Sequence, residues 1–147
     1  MNDKPILVVE DNPDHLELTV LTLQEQGGDD MSIVTARDGA EALDYLFGQG
    51  IHAGRDTHKQ PAFILLDMKL PKLSGLDVLR SVRANPLTSL VPVVMLTSSS
   101  EQSDIIACYK SGANGFVRKP VDFGDFTEKL SRLQDYWLRV NESIPTA

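Results

Sequence analysis

Three carboxylates, a hydroxyl and a lysine stand directly behind apolar runs in this sequence: Glu10 and Asp11 after ILVV, Asp67 after FILL, Thr97 after VVML, and Lys119 after GFVR. A charge placed behind a core run is costly unless something compensates it. Gathered in one pocket, the three acids would repel one another unless a cation sat among them, and hard oxygen ligands with positions left open for water suit Mg²⁺. Lys119 supplies a second, fixed positive charge. The Thr97 hydroxyl and that charge are suited to hold the oxygens of a phosphoryl group. A carboxylate can itself attack phosphorus and form an aspartyl-phosphate, and Asp67 is the candidate nucleophile, with Glu10 and Asp11 as metal holders. Taken singly, each acid is more simply a helix cap or a surface charge; the coherence of the whole set weighs against that.

The elements that must position these residues are short. Five apolar runs bounded by turn residues, at 5–11, 31–36, 63–67, 91–97 and 115–120, predict strands. Ile6-Leu7-Val8-Val9 and Val93-Val94-Met95-Leu96 do not alternate with polar residues, the pattern of strands covered on both faces by helices. Between them lie stretches of helical spacing: Leu16, Val20 and Leu23; Ala42, Leu43 and Leu46; Val78, Leu79 and Val82; Ile105, Ile106 and Tyr109. A fifth stripe runs through Phe126, Leu130, Leu133, Trp137 and Val140. Helix starts are signalled at Asp14, Asp38, Ser74, and Ser100 or Ser103, with the last stretch running from Asp122 to about Val140, and helix ends at Gly27-Gly28, Gly48 and Gly112. The alternation predicts an α/β fold with a parallel sheet, whose ligands gather where strands finish.

With 147 residues the chain fits one domain. Its 21 acidic and 14 basic residues, a net charge of −7, argue against direct nucleic-acid binding. Cys108 is the only cysteine, so no internal disulfide forms, and it is expected to be a core residue on a helix. MNDKPILVVEDN reaches acidic residues too soon for a signal peptide or a membrane span, so a cytoplasmic protein without membrane association is expected. The loop at 47–61 is longer than most connections. Its His52 and His58 lack neighbours at a metal-ligand spacing and are expected to be solvated loop residues.

VVEDNP, ILLDMKLPKLSG, VMLTSS and GFVRKP together resemble the response-regulator receiver domain of two-component signalling, over residues 4 to about 130. The resemblance implies a flavodoxin-like, doubly wound five-stranded parallel sheet with strand order 2-1-3-4-5. It implies Asp67 as phospho-acceptor, and Mg²⁺, replaceable by Mn²⁺ or Ca²⁺, held by Glu10, Asp11, Asp67 and the backbone carbonyl of Lys69. Thr97 and Lys119 would contact the phosphoryl oxygens, Phe116 would be the aromatic switch, and the Lys119–Pro120 bond would be cis. Phe116 stands where Tyr would add a phenolic hydrogen bond, and Glu10 where many relatives carry Asp. The implied donor is a sensor histidine kinase, and the implied response is a change in the surface of the fourth helix, fifth strand and fifth helix. The chain is expected to be a phosphorelay component rather than an enzyme.

The stretch RLQDYWLRVNESIPTA, within a helix extension and tail at 131–147, is too short to hide an output domain, so a receiver of this length is expected to act by binding a partner. Tyr136, Trp137, Leu138 and Val140 extend the apolar stripe and are candidate anchors of a homodimer, the alternative being that they fold back on their own domain. The long loop, the LPKLSG turn and the YWL tail resemble, more narrowly, the small response regulators of cyanobacterial phytochromes, which implies a phytochrome kinase of the bacteriophytochrome type as donor and leaves the downstream protein open. Two rival functions remain. One is a haloacid-dehalogenase-type phosphatase, which would need its nucleophile on the first strand and a second Asp where Lys69 stands. The other is an interaction module that no longer accepts phosphate.

Overall fold

Each apolar run forms one strand of a single sheet, and each amphipathic stretch forms the helix that returns the chain to start the next. In a computed structural model describing residues 4–28 and 31–145, the strands are β1 (Ile6–Val9), β2 (Ile33–Ala36), β3 (Phe63–Leu66), β4 (Val93–Thr97) and β5 (Gly115–Arg118). The helices are α1 (Pro13–Gly27), α2 (Gly39–Phe47), α3 (Gly75–Ala84), α4 (Gln102–Lys110) and α5 (Phe123–Asp135). Residues 1–3 of the N-terminal stretch read above lie outside the described residues, as do 146–147 of the tail. No described helix is long and apolar enough to cross a membrane. All pairings are parallel, in the order β2-β1-β3-β4-β5.

The uninterrupted apolar runs follow from burial on both faces. Leu7, Val9, Ile64, Leu66, Val93 and Met95 face a cluster with Ala42 and Leu46 of α2, Val78, Leu79 and Val82 of α3, and Cys108 of α4. Ile6, Val8, Phe63, Leu65, Val94 and Leu96 face the other way, onto Leu16 and Leu23 of α1 and Phe126 and Leu130 of α5. Strand alternation thus divides one apolar run between two cores.

Asp38, Ser74 and Asp122 cap α2, α3 and α5, each accepting the backbone N–H three residues on. Two expected starts are corrected. Helix α1 is capped by Asn12, whose side chain accepts from Asp14 N and His15 N, with Pro13 in the first turn, where a missing N–H costs nothing. Helix α4 starts after Glu101 without a side-chain cap; neither Ser100 nor Ser103 fills that role, while Ser99 Oγ donates to Asp104 Oδ2 at 2.6 Å. Gly48 ends α2 in the left-handed region at φ 64°, as its position predicts.

The 47–61 loop is tied to the domain by Arg55. Its guanidinium lies 4.0 Å from the Tyr45 ring centroid and donates to the carbonyls of Tyr45, Leu46, Asp56 and Lys59. His58 is solvated as expected, 3.4 Å from Asp56. His52 is not: it sits in a 3-10 turn, half-buried, edge-on to Tyr45 at 5.2 Å. The apolar face of Tyr45 recruits the ring that spacing alone assigned to solvent.

Beyond α5 the chain continues through a π turn, Tyr136–Val140. Trp137 stacks on Phe63 at 6.5 Å, and Trp137 and Leu138 pack against the α1/α5 core. These two dimer candidates therefore serve their own domain, because covering Phe63 removes apolar surface from water without a second chain. Tyr136 and Val140 remain exposed.

Candidate functional site

The parallel register brings the ends of β1, β3, β4 and β5 to one edge of the sheet. Asp67 N donates to Val9 O at 3.1 Å, placing the Asp67 backbone beside the end of β1, and Lys119 N donates to Thr97 O at 2.8 Å, placing Lys119 beside the end of β4. Glu10 is buried, Asp67 half-buried and Asp11 exposed. Among the described residues these three form the one group of potential metal ligands, with carboxylate oxygens within 4.8 Å of one another.

Lys119, only 9% exposed, reaches into this group from β5. Its Nζ donates to Glu10 Oε1 and, at 3.1 Å, to Asp67 Oδ2, and it lies 3.3 Å from His15 Nδ1. Among the described residues no peptide bond is cis, so the Lys119–Pro120 bond is trans, contrary to expectation. Trans is the lower-energy isomer for X–Pro by about 0.5–1 kcal/mol, and the lysine reaches both acids without the turn that a cis bond would supply.

The remaining oxygens of the acids are also organised. Glu10 Oε2 accepts Asn12 N–H at 3.2 Å, and Asp67 Oδ1 accepts Lys69 N–H at 3.3 Å. The second bond turns the chain sharply behind Asp67, bringing Lys69 back beside the acid while Lys69 itself remains exposed. Gly75 N donates to Met68 O at 2.8 Å, closing the loop onto the strand end.

Burial pushes the Glu10 carboxyl up from 4.5 to about 7, and the nearby Asp67 charge adds to the rise; the hydrogen bonds from Lys119 and Asn12 oppose it without cancelling it. A divalent cation beside Glu10 would relieve the cost of keeping that buried carboxylate ionised. The donor set fits that group: hard carboxylate oxygens from the ends of two strands, with Asp11 exposed.

Thr97 shares the edge but does not join the acids directly. It is 1% exposed, and its Oγ1 accepts Ser99 N–H at 3.4 Å, within its own loop. Phe116 lies opposite Met95 in the β4–β5 register and packs, half-buried, against the α2/α3/α4 core. His15 is the residue that sequence reasoning missed. The Asn12 cap folds the first turn of α1 over the end of β1, and Asn12-Pro13 ahead of a histidine was the available signal.

The response regulator receiver domain matches residues 6–131. Among curated proteins, the chain is 36% identical to the probable methanogenesis regulatory protein FilR2 of Methanothrix harundinacea over 94% of its length and 86% of that protein. It is 33% identical to the response regulator Rcp1 of Synechocystis over 98% of its length and 95% of Rcp1. The crystal structure of the phosphorylated cyanobacterial phytochrome response regulator RcpA superposes with TM-score 0.90 at 30% identity, covering 98% of this chain and 100% of that one. The Mn²⁺-bound form of Rcp1 gives 0.87 at 31% identity, covering 97% and 99%. The bacteriophytochrome response regulator AtBRR gives 0.75 at 45% identity, covering 97% and 100%.

Proposed function

The chain belongs to the response regulator receiver domain family, and on that premise we propose that it takes a phosphoryl group from a sensor histidine kinase onto Asp67 and signals by a shift in the α4/β5/α5 surface. The observation that carries this reading is the bridge made by Lys119 between Glu10 and Asp67, with Asp11 beside them. Glu10, Asp11, Asp67 and the Lys69 carbonyl would hold Mg²⁺, or Mn²⁺ or Ca²⁺ in its place. The bound ion would supply charge neutralisation for the incoming phosphoryl oxygens. Asp67 provides the attacking oxygen, with Lys119 aligned beside it to stabilise the transferred charge. No nucleotide enters this step, because the phosphoryl group arrives already activated on the kinase histidine.

Phosphorylation adds roughly one to two negative charges at the end of β3. Lys119 then exchanges a carboxylate for a phosphoryl oxygen, and the Thr97 hydroxyl leaves Ser99 N–H for the same target. Phe116 follows by repacking alone, since it has no hydroxyl to hold either rotamer. The surface that changes carries exposed apolar side chains, Ile106 and Tyr109 on α4 and Val121 and Phe123 beyond β5, which suit a docked downstream protein. Its action is that of a cytoplasmic signalling module rather than an enzyme.

The donor is a phytochrome kinase of the bacteriophytochrome type; the likeness to RcpA, Rcp1 and AtBRR supports this assignment. Two copies associate through the exposed side of the last helix, around Tyr136 and Val140. The test is phosphotransfer. A bacteriophytochrome kinase carrying labelled phosphohistidine is mixed with the protein and Mg²⁺, in darkness and in red light. Label should pass to the wild-type chain, not to Asp67→Asn, and by an amount that depends on illumination. Label retained by Asp67→Asn would overturn the acceptor, and multiple turnovers of a phosphomonoester would replace the receiver reading with the phosphatase one.

A further inference from the structure

We infer that His15 is a positioning residue for phosphorylation: it is the third acceptor for the Lys119 ammonium and fixes the direction in which that ammonium points. This rests on the reading of Asp67 as phospho-acceptor. An ammonium has three N–H donors and no acceptor, and Lys119 is buried enough that each donor needs a partner. Three acceptors surround it: Glu10 Oε1, Asp67 Oδ2 at 3.1 Å and His15 Nδ1 at 3.3 Å. The count closes, and it dictates the histidine's state. Nδ1 must present its lone pair to the lysine, so the ring proton sits on Nε2. A proton on Nδ1 would be aimed at the ammonium and leave one lysine donor orphaned.

Placement supports this role. His15 lies in the first turn of α1, where its backbone N–H is fixed by Asn12 Oδ1 at 3.2 Å. Its carbonyl accepts from Thr19 Oγ1 at 2.7 Å, anchoring the same turn one step further on. The imidazole is about half exposed, with Nδ1 3.8 Å from Glu10 Oε1, so it forms part of the open rim of the site beside the buried acid. Two carboxylates alone would leave the third donor of the ammonium without a protein acceptor. A ring nitrogen held by a capped helix supplies that acceptor and holds the amine between Glu10 and Asp67, where an incoming phosphoryl group will need it.

Two measurements on the full chain test the assignment. Long-range proton–nitrogen spectra at about pH 8, where an ordinary imidazole is neutral, should show the Nε2–H tautomer for His15, its peaks identified by their loss in His15→Asn. The Nδ1–H tautomer overturns the proposal. Second, the rate of Asp67 phosphorylation by acetyl phosphate and Mg²⁺ is followed against donor concentration. One net hydrogen bond of about 1 kcal/mol corresponds to about fivefold in rate, so His15→Leu should lower the limiting rate by that factor at unchanged half-saturating donor. His15→Asn, whose amide oxygen can take the place of Nδ1, should restore most of it. A limiting rate in His15→Leu equal to wild type overturns the proposal. If the wild-type chain is not phosphorylated at all, the acceptor reading falls instead, and the tautomer alone decides whether His15 holds Lys119.

Discussion

Gly75 faces the carbonyl oxygen of Asp67 so closely that a Cβ built on Gly75 would stand 2.0 Å from it. The first residue of α3 is thus pressed against the backbone of Asp67, and the loop between them can close only because that position has no side chain. Gly75→Ala must displace either the helix or the end of β3. The expected cost is about 1–3 kcal/mol, in the range of overpacked cores, read as a lower urea midpoint. Because the displaced atoms carry Asp67, phosphorylation by a small phosphodonor should slow more than the stability loss explains. Wild-type stability in Gly75→Ala would show that the loop relaxes freely.

Glu10 makes stability depend on pH when divalent ions are absent. Its folded value is raised from 4.5 to about 7, with burial the largest cause. Between those values the folded chain keeps a proton that the unfolded chain releases, so stability falls as pH rises through that window and levels off above it. Glu10→Gln removes the titrating group. The difference in urea midpoint between wild type and Glu10→Gln should move in favour of the variant from pH 4.5 to about 7. A difference that stays flat, or runs the other way, overturns the assignment of Glu10 as an acid strained by burial.

Metal binding should follow the three acids. Asp11 is the most exposed of them and has the least to lose as a neutral amide when the ion is absent. Asp11→Asn should therefore weaken Mg²⁺ binding, measured by calorimetry, by roughly tenfold or more while leaving the fold intact, since a carboxylate facing a divalent ion contributes several times what its amide does. Equal affinity would place the ion elsewhere.

Arg83 joins α3 to the loops that lead into β4 and β5. Its guanidinium donates to Gly112 O at 2.9 Å, Ser89 O at 3.0 Å, Val91 O at 2.7 Å and Asn114 Oδ1 at 2.7 Å, and Asn114 Oδ1 also accepts Val93 N–H at 2.8 Å. Removing the donors leaves several carbonyls to find water. Arg83→Ala should cost about 2–3 kcal/mol in a urea melt, with the charged hydrogen bonds as the main loss. A loss under about 0.5 kcal/mol would mark them as replaceable surface contacts.

What the sequence discloses follows from the range of each interaction. Asp38 and Ser74 could be named as caps because cap and recipient N–H are three residues apart. Helix α4 could not, because its start uses no side-chain cap. The acids and Lys119 were legible because a parallel sheet brings strand ends together whatever the loops do. His15 was not, since its contact with Lys119 joins residues 104 apart through the placement of α1 beside β1. Trp137 was left between two uses for another reason: an apolar stripe has the same spacing whether it covers its own domain or a second copy, and only the position of Phe63 shows the packing within the domain.

The last helix separates these two uses residue by residue. Trp137 stacks on Phe63 with rings inclined by 30°, so Trp137→Ala should cost about 2 kcal/mol, somewhat less than for a fully buried ring. Val140 is 61% exposed, so Val140→Asp should leave the urea midpoint within about 0.5 kcal/mol. A charge at that position nonetheless opposes a dimer formed through this face, because two apolar side chains that should meet would carry like charges instead. Sedimentation should therefore find the wild-type chain dimeric and Val140→Asp monomeric at equal stability. A wild-type chain that sediments as a monomer both before and after phosphorylation overturns the dimer, leaving Trp137 as the working residue of the tail.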